Sequence, residues 1–156
     1  MVVGDFNGDG KLDLAVANTN DSTVSILFGT GSGAFSPQVI YPVGLSPSGV
    51  AVGDFTGDGK LDLAVANGSK SGSVSVLLNT GRGAFAPQIT HPVGAFPNGI
   101  VTGDFTGDGR IHLVVTDLAD RAVSVLTPRL GVKANPTASP AVSPAPIPTG
   151  RSAPNA

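Results

Sequence analysis

The chain has 156 residues, 40% apolar and 13% charged, with 22 glycines, 13 prolines and a formal net charge of −2. That balance is too apolar for a disordered chain and too rich in turn formers for a helical bundle, and its mild acidity argues against nucleic acid or an anionic membrane as partner. The absence of cysteine excludes a disulfide framework and thiolate metal sites.

The first predicted element is a strand entering "GDFNGDGKLDLAVAN" at residues 4–18, and this stretch recurs as "GDFTGDGKLDLAVAN" at 53–67 and, more loosely, as "GDFTGDGRIHLVVTD" from Gly103. Farther along, "VSILFGTGSGAFSPQVIYPVG" (24–44) returns as "VSVLLNTGRGAFAPQITHPVG" (74–94). The two copies differ in length only in the polar segment before Val24 and Val74, as a hairpin loop tolerates. Each full unit divides into four short apolar segments, at 49–55, 61–67, 73–79 and 87–93 in the second copy, bounded by Gly, Asn, Ser or Pro. "LDLAVAN" alternates leucine and valine with smaller or polar residues, which suits strands rather than helices. Four antiparallel strands per unit of about fifty residues predict β-propeller blades.

The predicted fold is therefore all-β, with two full four-stranded antiparallel blades at 1–48 and 49–98, a partial third at 99–132 and a disordered Pro/Ala/Ser/Thr-rich tail at 133–156. A blade cannot bury its own faces, so neighbours must pack on both of them. That need explains small Ala15 and Ala17 on the second face of a strand. The repeating phenylalanines Phe6, Phe55, Phe105, Phe35 and Phe85 are expected in the core. No apolar run approaches the roughly 20 residues of a membrane-spanning helix, so membrane insertion is not expected.

Eight of the eleven aspartates lie in the three repeated loops, and glutamate is absent. In the first loop Asp5, Asn7, Asp9 and Asp13 stand at alternating positions, and a chain wound tightly at Gly8 and Gly10 can turn them inward with the Lys11 carbonyl. Hard oxygens in that number suit Ca²⁺, with Mg²⁺ second because it demands a stricter octahedron. Asp54, Thr56, Asp58, Asp62 and the Lys60 carbonyl repeat the set, a hydroxyl replacing the amide at Thr56. The third loop offers a weaker site from Asp104, Thr106, Asp108 and the Arg110 carbonyl, because His112 replaces the last carboxylate. His112 is read as a neutral strand residue in preference to a transition-metal ligand. An EF-hand fails on two counts: the twelfth residues are Val16, Val65 and Val115, not glutamate, and the flanks are strands. Asx-turns without metal explain one aspartate per turn but not three at alternating positions.

These residues resemble the FG-GAP repeat, also described as the VCBS-type repeat, of integrin α propeller heads and bacterial secreted or surface proteins. The resemblance rests on the three loops and on "GRGAF" and "PxGVAVGDF", and covers residues 1–127. It implies calcium at Asp5, Asn7, Asp9, Lys11 and Asp13 and at Asp54, Thr56, Asp58, Lys60 and Asp62, both lysines acting through their carbonyls. Family propellers commonly have seven blades, so this chain is expected to be a fragment or a degenerate paralogue, completed by further blades or by self-association.

The expected function is a non-catalytic, calcium-binding module for protein interaction or adhesion, outside the cell or at its surface. No leader is expected ahead of the repeats, since Met1 runs straight into the first. A glycan-binding role is the alternative, with Tyr41, His91 and Phe96 as candidate ligand-face residues. An enzyme is least expected: His91 and His112 are the only histidines, and no nucleophile–base constellation stands out.

Overall fold

The computed structural model describes residues 1–127 together with Ala145–Pro146. Strands β1 (Val2–Gly4), β2 (Asp13–Asn18), β3 (Thr23–Leu27) and β4 (Val39–Pro42) form the first antiparallel sheet in chain order. The second contains β5 (Pro47–Gly53), β6 (Asp62–Asn67), β7 (Ser73–Leu77) and β10 (Ile89–Pro92), again as a meander. Between β7 and β10 lies a small hairpin, β8 (Asn79–Gly81) with β9 (Ala84–Phe85), that was not predicted from sequence. Its counterpart in the first blade is a single bridge between Gly29 and Phe35. The hairpin turn uses a left-handed Arg82 and Gly83, a local conformational demand that apolar periodicity does not register.

The third sheet is β11 (Pro97–Gly103), β12 (His112–Asp117), β13 (Ala122–Leu126) and β14 (Ala145–Pro146). Two residues of the segment expected to be an unstructured tail thus pair with Ala122 and Val123. An open strand edge accepts an extended partner, and proline suits an edge position. The remainder of residues 128–156 lies outside the described residues. Among the described residues the architecture is all-β without helices, three four-stranded blades and no closed barrel.

The blades pack with a fixed polarity. In the first interface Ala15, Val24 and Ile26 of blade one meet Val50, Leu63, Val65, Leu77 and Phe85 of blade two. In the second, Ala51, Ala64, Ala66, Val74 and Val76 of blade two meet Ile100, Leu113, Val115 and Leu126 of blade three. Each blade therefore offers a face containing small alanines to the bulkier leucine–valine face of the next. The alanines leave room for close sheet packing, and period-two alternation keeps the two faces of one strand distinct.

Phe6 is 2% exposed and Phe55 7%, each buried between its own blade and the next. Phe85 packs edge-to-face on Phe6 and on Tyr41, with ring centroids 6.0 and 5.4 Å apart. Phe105 and Phe35, expected in the core, are instead exposed. Among the described residues no fourth blade covers Phe105 and none precedes the first blade to cover Phe35.

Candidate metal centre

Each acidic loop joins the first two strands of its blade. Val2–Gly4 pairs with Ala15–Asp13, Val50–Gly53 with Val65–Asp62, and Ile100–Gly103 with Val115–His112. Each loop therefore begins at the residue after the first strand, and the second strand opens on Asp13, Asp62 or His112. Two glycines wind each loop with positive φ: Gly8 and Gly10, Gly57 and Gly59, Gly107 and Gly109. An added Cβ at any of these six meets nothing within 4 Å, so the constraint is backbone conformation rather than space.

The first aspartate collects amides. Asp5 accepts from the Gly8, Asp9 and Gly10 N–H groups at 2.8, 3.2 and 2.8 Å. Asp54 repeats the pattern with Gly57, Asp58 and Gly59, and Asp104 with Gly107, Asp108 and Gly109. For Asp54, desolvation is the largest single influence and raises the pKa, but the three amides together outweigh it and hold the carboxyl below its ordinary value. The Gly109 amide leads the same lowering at Asp104. Asn7 Oδ1 accepts from the Asp9 amide at 2.9 Å. Asp9 takes the Lys11 amide at 2.9 Å and the Lys11 ammonium at 3.1 Å, and the amide contributes most to its lowered pKa. At Asp58 the Lys60 ammonium leads instead.

The last acidic position behaves differently. Asp13 is fully buried, one oxygen accepting from the Phe6 amide at 2.9 Å and the other from Gly29 at 2.8 Å. Asp62 does the same with Phe55 at 3.0 Å and Asn79 at 2.8 Å. Both side chains brace the loop against the end of the third strand, a role that the alternation of acidic residues did not suggest. Desolvation pushes the Asp62 pKa up, and the nearby Asp58 and Asp54 charges push it further.

The FG-GAP-like repeat pattern matches residues 5–65 and again 54–115. The chain belongs to the FG-GAP repeat family. No curated protein matches it.

In this FG-GAP chain the donors of the first two loops are all oxygen, from carboxylates, an amide or hydroxyl, and a carbonyl. Each carboxylate has about four lone-pair sites, so the amide hydrogen bonds leave acceptor capacity for a cation. The donor chemistry of these two loops therefore fits Ca²⁺. The third loop departs from it. Among the described residues, the group of three acidic or histidine side chains whose ligand atoms lie within 4.8 Å of one another is Asp104, Asp108 and His112. Asp9 and Asp58 are each drawn onto a lysine ammonium, while Arg110 Nε stands 4.0 Å from Asp108.

Of the candidate ligand-face residues, Tyr41 belongs to the packing between blades, its ring on Phe85 and its hydroxyl accepting from the Phe85 amide at 3.3 Å. His91 is half-buried on β10, where desolvation lowers its pKa. Phe96 is exposed in a turn where its φ is 52°, close to the 54° of Ser46 at the same position of the preceding repeat.

Proposed function

We propose that this FG-GAP chain is a non-catalytic, calcium-stabilised propeller-repeat module that serves protein interaction or adhesion outside the cell. The observation that supports it best is the twice-repeated all-oxygen loop at the β1–β2 and β5–β6 junctions. Asp5, Asn7, Asp9, Asp13 and the Lys11 carbonyl would hold one Ca²⁺. Asp54, Thr56, Asp58, Asp62 and the Lys60 carbonyl would hold the second. The ion would neutralise carboxylates that otherwise repel and would fix the connection between two strands. Loops of modest affinity suit an extracellular setting, where calcium modules work at dissociation constants of roughly 0.1–1 mM. Among the described residues no blade covers the outer faces of the first and third blades, which supports a module completed by further blades or by a second copy.

Thermal melts in calcium and in chelator test the proposal. A ligand bound only to the folded state stabilises it by about 2.7 kcal/mol at one hundred times Kd. A higher melting temperature in calcium, lost on replacing Asp5 and Asp54 together with asparagine, is the expected result. Superimposable melts would sink the structural-calcium reading.

A further inference from the structure

The third loop combines two features absent from the first two. His112 occupies the position of Asp13 and Asp62, and it is just as deeply buried, at 3% exposure. Where those aspartates accept two backbone amides each, His112 Nδ1 is buried with no hydrogen-bond partner. A buried polar atom without a partner is unfavourable and calls for an explanation, an ion among them. The imidazole also reaches the loop, since one ring nitrogen and one carboxylate oxygen each from Asp104 and Asp108 lie within 4.8 Å of one another. The two carboxylates are exposed and the histidine is buried, so an ion would enter from solvent and seat against the imidazole.

We infer that the third loop is a site for a zinc-class divalent ion, held by Asp104, Asp108 and His112, rather than a weakened calcium loop. Imidazole is a borderline donor that suits Zn²⁺, Co²⁺ or Ni²⁺, whereas Ca²⁺ selects oxygen. Three protein ligands leave a further position for water, the pattern of an open zinc site. The neighbouring cation favours metal at this loop more than at the others. Lys11 and Lys60 sit on the carboxylates of Asp9 and Asp58, but Arg110 is mostly exposed and stands 4.0 Å from Asp108. Asp108 can therefore turn one oxygen to an ion without first breaking a close ion pair. The inference does not depend on calcium in the first two loops.

The test uses the full chain, stripped with chelator and titrated with Zn²⁺ and with Co²⁺ in excess Ca²⁺. One zinc per chain should bind despite the calcium, and the Co²⁺ adduct should show visible absorption bands of a low-coordinate nitrogen–oxygen site. His112→Ala and Asp108→Asn should each weaken zinc at least about tenfold, the lower end of what even an outer-shell change costs a metal site. His91→Ala should leave it unchanged. His112→Asp, which restores the aspartate of the other loops, should exchange zinc binding for an additional calcium. Asp108 is exposed, so its variant tests the site even if the buried His112 variants fail to fold. No zinc binding in calcium, or zinc binding that survives Asp108→Asn with its affinity intact, overturns the inference.

Discussion

At the scale of single residues, a buried carboxylate opens β2 and β6 and braces the acidic loop before it. Asp62 joins the loop to the end of β7 through two amides, and Asp13 does the same after β3. Asparagine at position 62 keeps one carbonyl acceptor and places an NH₂ donor against an amide donor. Asp62→Asn should therefore cost about 1–3 kcal/mol, read by urea unfolding in chelator. The pH dependence has a definite sign. Burial raises the folded pKa of Asp62 above its unfolded value near 3.8. Its contribution is therefore fully present below that value and is lost as pH rises through the raised folded value. In chelator, Asp62→Asn should remove this fall from the pH–stability curve, and a curve identical to wild type would contradict the assignment. The alternating spacing of acidic residues was legible in the sequence, but this division of labour was not. Asp9 and Asp13 look equivalent in a string of letters, and only the position of β3 turns one into a brace.

At the scale of the element, three copies of one motif meet three environments. Phe6 and Phe55 are buried between blades, while Phe105 is 56% exposed. Phe55→Ala should cost about 3–5 kcal/mol, since it empties a packed aromatic site between two sheets. Phe105→Ala should stay within about 0.5 kcal/mol, as for an ordinary surface position. Equal losses in denaturant unfolding would mean that Phe105 is covered in solution. The small-residue face carries the same message. Ala64 and Ala66 of β6 are fully buried against the third blade, and Val114 and Thr116 hold those places in β12, on a face that no described blade covers. Ala64→Leu should overpack the interface and cost about 1–3 kcal/mol in the same measurement. Strand positions were predicted to within a few residues because each is a short apolar run between glycines or prolines. The β8–β9 hairpin was missed because it depends on left-handed backbone at Arg82 and Gly83.

At the scale of the whole molecule, among the described residues each blade packs on its sequence neighbours through the two apolar interfaces. Stability in such a stack is nearly a sum of unit and interface contributions, and the central unit shares in both interfaces. Amides of β6 should therefore show the slowest hydrogen exchange, with β2 and β12 opening at lower free energy. Uniform protection across all three strands would show that the outer faces are covered in solution.

The sequence alone determined the repeat, the strand-loop-strand motif and the oxygen-rich chemistry of the first two loops. These follow from local rules: alternation of apolar residues, glycine where φ is positive, and spacing of like residues along one chain. Only the tertiary structure decided which face of each strand is covered. The identical segment "DLAVAN" is buried at all six positions in β6 but only partly in β2. No property of those six residues differs between the two copies. The difference comes from neighbours, since among the described residues β6 has a blade on both sides and β2 has one. The same dependence governs His112, since only the folded chain brings one of its ring nitrogens within 4.8 Å of carboxylate oxygens of Asp104 and Asp108.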